Sequence, residues 1–123
     1  MTRRRILVVD DDADTRFLLR LIFESADYDV WEAPHGVAAL IHLKNDLPDL
    51  VVVDMVMPQM SGAELIQRLR TTPRTEALVI LAVSGHPNAT DTAKDANAVL
   101  SKPFDREELL ALVSSLVALE NPN

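Results

Sequence analysis

Short apolar runs, separated by mixed stretches, form the main pattern of this chain. The runs ILVV, LVVV and LVILAV contain no polar residue and are rich in valine and isoleucine. β-Branched residues favour strands, and an unbroken apolar run is typical of a strand covered on both faces, as in a parallel sheet. The predicted strands are Ile6–Val9, Asp29–Ala33, Leu50–Val53, Leu78–Val83 and Ala98–Ser101.

Between these runs, apolar residues recur at helical spacing, which is typical of helices with one buried face. Helices are predicted over Ala13–Ala26, Val37–Leu43, Ala63–Arg70 and the stretch that follows a cap at Asp105. On the first helix the predicted buried residues are Leu18, Leu19, Ile22, Phe23 and Ala26, and the predicted exposed apolar pair is Phe17 and Leu21. The small, polar residues 87–97 predict only a short or irregular fourth helix before the last one.

Strands that alternate with helices from end to end are the signature of an α/β sheet with parallel strands. Five strands in 123 residues fit a flavodoxin-like doubly wound sheet with flanking helices. This length suffices for one ordinary domain and is too short for two. We therefore predict one domain over residues 1–119, followed by a disordered tail or the start of a linker over residues 120–123.

Composition narrows the classes of function. The formal net charge of -7 disfavours direct binding to nucleic acids, which requires clustered basic residues. The absence of cysteine excludes disulfides and thiolate chemistry. No apolar stretch reaches the length of a membrane span and no signal peptide is visible, so we expect a cytoplasmic protein that does not bind membranes.

The polar residues that follow the predicted strands carry the candidate chemistry. Asp10 and Asp11 follow the first strand, Asp54 the third, Ser84 the fourth and Lys102 the fifth. The carboxyl ends of parallel strands lie at one edge, where open α/β sheets bind ligands. Carboxylates gathered there repel one another. Lys102 supplies one positive charge, and a hard divalent cation such as Mg²⁺, which prefers oxygen ligands, would supply more.

A second interpretation treats the acids as a solvated rim at helix N-termini. This interpretation suits Asp12 and Asp14, because either residue can cap the first helix and complement its dipole. Asp10, Asp11 and Asp54 instead come at the ends of buried strands, and unpaired carboxylates are costly to bury. For these three residues the cation site is the favoured interpretation.

Four blocks of sequence occur in a characteristic order: ILVVDDD, LVVVDMVMPQMSG, LAVSG and LSKPF. With these blocks the chain resembles the receiver domains of bacterial response regulators over essentially its whole length. In that family the aspartate that ends the third strand accepts a phosphoryl group from a sensor histidine kinase or a histidine phosphotransfer protein. The resemblance implies a phosphorelay switch that catalyses only its own phosphorylation and dephosphorylation, with a downstream protein or a second copy as its target.

The resemblance also implies a role for each residue at the strand ends. Asp54 matches the phospho-acceptor, and Lys102 and Ser84 match the residues that pair with and hydrogen-bond the phosphoryl group. The Mg²⁺ ligands by resemblance are Asp10, Asp11, Asp54 and the backbone carbonyl of Val56, with Asp11 the favoured direct ligand among the acidic pair. Relatives have a cis peptide before the proline that follows the lysine, and we expect one at Lys102-Pro103.

Two departures from the family pattern concern signal output. The position three residues before the lysine usually holds Tyr or Phe and here holds Val99, which has no ring to change rotamer. The segment from Gly85 to Ser101 has 17 residues, fewer than the resemblance implies. We therefore predict that residues 85–97 are mobile and become ordered on phosphorylation, with His86 beside the phosphoryl group or simply exposed to solvent.

Three other classes of protein fit the sequence less well. A haloacid dehalogenase-like phosphatase has an acidic loop after its first strand, which Asp10, Asp12 and Asp14 nearly imitate, but Asp14 stands where Thr or Val is required. A flavin-binding electron carrier on the same fold would need a Ser/Thr/Gly-rich phosphate loop in place of the aspartates. A degenerate receiver would have lost Asp54 or Lys102, and both are present.

Overall fold

The computed structural model describes residues 3–85 and 95–120. In these ranges the strands are β1 (Arg5–Val9), β2 (Asp29–Ala33), β3 (Leu50–Asp54), β4 (Ile80–Ser84) and β5 (Ala98–Ser101). The helices are α1 (Ala13–Ser25), α2 (Gly36–Asn45), α3 (Gly62–Arg70) and α4 (Arg106–Glu120). The short helix predicted within residues 87–97 falls largely on residues 86–94 and so lies outside the described residues.

All five strands are parallel and lie in the order β2-β1-β3-β4-β5. The first strand, β1, lies inside the sheet; the chain adds β2 beside it as an edge strand and then crosses back to add β3, β4 and β5 on its other side. The predicted flavodoxin-like doubly wound sheet is confirmed. Because every strand points the same way, the segments that follow β1, β3, β4 and β5 meet at one edge.

Successive strand residues point to opposite faces of the sheet and form two apolar clusters. On one face, residues of α2 and α3 pack against Leu7, Val51 and Ile80. On the other face, residues of α1 and α4 pack against Val8 and Val52. Burial on both faces explains why the strands lack the alternation of polar and apolar residues that a half-exposed sheet would show. Of the helices in the described ranges, none is long and apolar enough to cross a bilayer.

The buried face of α1 is narrower than the sequence predicted. Leu19 and Phe23 are buried and Ile22 packs at the edge of the core, but Leu18 is 56% exposed, so its prediction as a core residue was wrong. Leu19 and Phe23 are four residues apart and therefore lie on the same side of the helix. Leu18 is rotated by about 100° from Leu19, away from that buried side. The exposure predicted for Phe17 is confirmed at 60%.

Several element boundaries differ from the prediction by one or two residues, and two of the differences follow from local backbone structure. Helix α1 ends at Ser25 rather than Ala26, because Asp27 adopts a left-handed conformation with φ of 71°. Strand β4 starts at Ile80 rather than Leu78, because the amide of Leu78 donates to the carbonyl of Thr75 and closes a turn. Neither difference moves a residue of the candidate site.

Candidate functional site

Asp54 ends a strand that is buried along its whole length. All five residues of β3 are buried, and Asp54 itself is 8% exposed. The Val56 amide donates to Asp54 Oδ1 at 3.3 Å, and the Met55 amide donates to the carbonyl of Val83 at 3.0 Å. The carboxylate is therefore held at the edge of the sheet in two ways. The backbone next to it is bonded to β4, and the carboxylate itself accepts a bond from the Val56 amide.

Asp10 and Asp11 bring two further carboxylates to Asp54. One carboxylate oxygen from each of the three residues lies within 4.8 Å of the others. Asp10 is 3% exposed, whereas Asp11 is open to solvent. Burial raises the pKa of the Asp10 carboxyl, and the charges of Asp54 and Asp11 act in the same direction, against a hydrogen bond from the Asp12 amide and the charge of Lys102.

Lys102 supplies the positive charge that the sequence analysis expected at this edge. Its Nζ lies 3.8 Å from Asp54 Oδ1, and its side chain is 38% exposed. The Lys102 amide donates to the Ser84 carbonyl at 2.8 Å, which fixes the start of the loop after β5. The Lys102-Pro103 peptide is cis, as predicted, and Phe104 packs against the α1–α4 face of the core.

Ser84 and Val56 flank the acids at the same edge. Ser84 is 2% exposed at the end of β4, and the sheet register pairs the preceding residue, Val83, with Asp54. Val56 is 57% exposed, and its amide contacts the Asp54 carboxylate. His86 lies outside the described residues, so its predicted place beside the phosphoryl group is not described.

Val99 lies on β5 and packs, half buried, against the α2–α3 face of the core. A valine is held there with little rotational freedom, because β-branched side chains are stiff about their first torsion.

Two residues that support the site were missed by the sequence analysis. Arg16 of α1 donates from Nη1 to the carbonyl of Asp10 at 2.7 Å. Gly62 starts α3 against β3 so closely that a Cβ atom there would lie 2.6 Å from the carbonyl oxygen of Asp54. No sequence signal pointed to the first, because the Arg16 bond depends on how α1 is rotated, whereas the Ser-Gly pair before the third helix was the signal for the second.

The donor set fits a hard divalent cation. Three carboxylates converge with only one ammonium group nearby, so negative charge is in excess among the described residues. The exposed Asp11 leaves one side of the cluster open to water, and Mg²⁺ characteristically keeps several water ligands.

Residues 6–114 match the family described as the response regulator receiver domain. The chain belongs to this family. It is a receiver domain of two-component response regulators, as the four sequence blocks predicted, and this membership gives no support to the haloacid dehalogenase alternative.

Curated relatives of this receiver domain come from several bacteria. The chain is 43% identical over 112 residues to an uncharacterized 14.6 kDa protein in the sodA1 3' region of Leptolyngbya boryana, with 88% of this chain and 86% of that protein covered. It is 30% identical over 123 residues to sporulation initiation phosphotransferase F of Bacillus subtilis, with coverage of 98% and 99%. It spans 53% of the mycobacterial response regulator MprA, to which it is 38% identical.

Solved receiver structures share the fold. A putative response regulator from Chloroflexus aurantiacus has a TM-score of 0.91 at 33% identity, and the match covers 95% of this chain and 99% of that one. The response regulator TrrA of Thermotoga maritima, crystallised in complex with Mg²⁺ and BeF, has a TM-score of 0.85 at 29% identity, with coverage of 92% and 98%.

Proposed function

We propose that Asp54 is the phospho-acceptor of this receiver domain and that it takes its phosphoryl group from a phosphohistidine on a sensor histidine kinase or a histidine phosphotransfer protein. The observation that carries the proposal is the position of the Asp54 carboxylate, which ends a buried strand between two other acids and the Lys102 ammonium group. The product is a changed state of the protein itself, so the domain acts as a switch in the cytoplasm and transforms no external metabolite.

The residues at the sheet edge divide the work of phosphoryl transfer. A carboxylate oxygen of Asp54 forms a bond to phosphorus while the bond between phosphorus and the donor's imidazole nitrogen breaks. Lys102 neutralises charge on the transferred oxygens, and the Ser84 hydroxyl donates to one of them and so favours the phosphorylated state. Transfer of this kind depends mainly on positioning, which the backbone bonds around Asp54 support.

Asp10, Asp11, Asp54 and the carbonyl of Val56 would hold Mg²⁺. When bound, the ion supplies positive charge that offsets the negative charge of the transferring group. We expect the unmodified protein to bind the ion weakly. Mg²⁺ gives up its waters reluctantly, and the three carboxylates can replace only some of them.

The phosphodonor has to approach the edge that holds Asp54, and the surface beside this edge is apolar. Phe17, Leu18 and Leu21 of α1 are 60%, 56% and 49% exposed. Helix α1 starts directly after the acidic turn and rises about 1.5 Å per residue, so these side chains lie within two to three turns of Asp11. Exposed apolar patches mark interaction sites, and we assign this one to the phosphodonor.

The test is phosphorylation by a small donor. The protein is incubated with acetyl phosphate and Mg²⁺, and its intact mass is measured; one added phosphoryl group is expected. Asp54→Asn should abolish the adduct, whereas Asp12→Asn, an equally acidic position outside the carboxylate cluster, should retain it. Absence of an adduct on the natural protein, or an adduct on Asp54→Asn, would contradict the assignment.

A further inference from the structure

Asp10 lies in the turn between β1 and α1, where its amide, its carbonyl and its carboxylate all form hydrogen bonds. The Asp10 amide donates to the Ala33 carbonyl at 3.2 Å, and its carboxylate Oδ1 accepts from the Asp12 amide at 2.9 Å. Its carbonyl oxygen accepts from Arg16 Nη1 at 2.7 Å. The first two bonds join Asp10 to backbone groups, on β2 and on Asp12. The third bond comes from a side chain of α1.

Arg16 is itself fixed by a chain of ion pairs. Its side chain is 16% exposed, and its Nε donates to Glu32 Oε1 of β2 at 3.2 Å. Glu32 also binds Arg20, which in turn pairs with Glu24 at 3.3 Å. The Arg16 guanidinium thus connects α1, β2 and the end of β1 through charge-assisted hydrogen bonds, which are stronger than neutral ones.

The carbonyl that Arg16 holds belongs to the peptide between Asp10 and Asp11. A peptide unit is planar, so a fixed carbonyl also fixes the amide nitrogen and the Cα atom of Asp11, from which the Asp11 side chain starts. The carboxylates of Asp10, Asp11 and Asp54 repel one another, and repulsion would turn this peptide outward if nothing held it. Arg16 opposes that rotation without occupying a carboxylate oxygen.

We propose that Arg16 is a positioning residue that sets the Mg²⁺ affinity of the receiver by holding the Asp10–Asp11 peptide. The proposal rests on the cation site described under Proposed function. Outer partners of metal ligands typically contribute about 10- to 100-fold to metal affinity. We therefore expect loss of the Arg16 bond to weaken Mg²⁺ binding by at least about tenfold.

The experiment compares Arg16→Met with Arg20→Met. Both changes remove an arginine from α1 and a partner from Glu32, but only Arg16 contacts the Asp10 carbonyl. Mg²⁺ is titrated into each protein without any phosphodonor, and the amide resonances of Asp11 and Asp54 report binding. Urea unfolding of each variant separates a change in affinity from a general loss of stability.

A second measurement needs no metal. Hydrogen exchange of the Asp12 amide, which bonds the Asp10 carboxylate, should be faster in Arg16→Met and unchanged in Arg20→Met. Arg16→Lys should recover part of the affinity, because an ammonium group can donate to the Asp10 carbonyl but cannot reproduce both arginine contacts. This variant also keeps the test decisive if Arg16→Met does not fold.

The outcomes are distinct. A tenfold or larger loss of affinity in Arg16→Met, with Arg20→Met near the natural protein, supports the proposal. Equal affinities in the two methionine variants overturn it and leave the cation site intact. If the natural protein shows no Mg²⁺-dependent shifts, the cation site fails and the role of Arg16 fails with it.

Discussion

Asp10 shows how a single buried carboxyl can oppose folding while serving a site. It is 3% exposed, and burial beside Asp54 and Asp11 raises its pKa. A carboxyl whose pKa is higher in the folded than in the unfolded chain destabilises the fold when it is ionised. The penalty is complete above the folded pKa, and it is lost as the pH falls from the folded to the unfolded pKa. Without a cation, the receiver therefore carries an electrostatic cost at neutral pH.

Asp10→Asn should raise the free energy of unfolding in Mg²⁺-free buffer, by an amount on the order of 1 kcal/mol. The amide oxygen can still accept from the Asp12 amide, so the change removes charge and keeps the bond. Urea unfolding in the presence of a chelator measures the effect. Asp12→Asn is the control of opposite sign, because that carboxylate caps α1 and accepts from the Thr15 hydroxyl. A less stable Asp10→Asn protein would show that the cost is not electrostatic.

His42 presents a different unpaired group. Its Nε2 is buried and lacks a hydrogen-bond partner in the described part of the chain, and its ring lies 4.4 Å from that of Trp31. Leaving a buried polar atom unsatisfied costs about 1–3 kcal/mol. His42→Leu keeps the apolar contact and removes that atom, so it should raise the free energy of unfolding by about 1 kcal/mol.

Unfolding of His42→Leu can be followed by Trp31 fluorescence or, to avoid any change in quenching, by circular dichroism. Lys44→Ala, an exposed change on the same helix, should leave stability nearly unchanged. A destabilised His42→Leu protein would mean that the imidazole makes a bond in solution through its other tautomer.

Lys102→Ala should retain the fold and lose most of the response to phosphorylation. The Lys102 side chain is 38% exposed, and an exposed pair contributes about 0–1 kcal/mol to stability. Its contribution to the phosphorylated state should be larger, because the phosphoryl group adds negative charge at the same place. Amide spectra with and without beryllofluoride measure the response. An alanine variant with the same spectral change as the natural protein would remove Lys102 from the proposed role.

At the scale of the element, the end of α1 is a complete helix-stop motif. The Asp27 amide donates to the Glu24 carbonyl, and the Tyr28 amide donates to the Phe23 carbonyl. Tyr28 and Phe23 also meet edge to face, with ring centroids 6.3 Å apart. These are the two bonds and the apolar contact of a Schellman motif, in which glycine is the usual residue at the left-handed position.

Asp27→Gly should therefore stabilise the protein, by about 0.5–1 kcal/mol, because glycine adopts the left-handed conformation without a steric penalty. The Asp27 side chain is 86% exposed and its 4.0 Å pair with Arg3 contributes little, so removing it costs little. Thermal unfolding measures the gain. Ala26→Gly, at a residue with φ of -103°, is the control and should give no gain.

The sequence predicted the strands and the strand-end chemistry because both depend on local signals. Valine-rich runs identify buried parallel strands, and parallel strands bring Asp10, Asp54 and Lys102 to one edge whatever the details of packing. The exposure of Leu18 and the bond from Arg16 to Asp10 depend on how α1 is rotated against the sheet. Helical spacing defines a stripe of residues but does not fix which edge of the stripe meets the core.

At the scale of the whole molecule, α4 closes the structure. Leu109, Val113 and Leu116 pack in the same cluster as residues of β1, β3 and β4. Arg4 donates to the Val117 carbonyl at 3.3 Å, and Arg106 donates to the Ser25 hydroxyl at 2.7 Å, so α4 is bonded to the start of the chain and to the end of α1.

A chain ended after Asp105 should fail to unfold cooperatively and should bind the dye ANS, because one face of the sheet would lose the side chains that α4 packs against it. The control is a chain that ends at Glu120, after the last residue of α4. Cooperative unfolding of the shorter chain, without dye binding, would show that α1 alone can cover this face.

The late position of α4 has a consequence for synthesis on the ribosome. All five strands have been translated by Ser101, but the helix that completes one apolar face consists of residues 106–120. The nascent chain can therefore assemble its sheet while valine and leucine side chains on that face still meet solvent, and such surfaces are prone to aggregation and to capture by chaperones. The face stays open while β5 has left the ribosomal tunnel and α4 has not, so a pause in synthesis during that interval would prolong the exposure of these side chains.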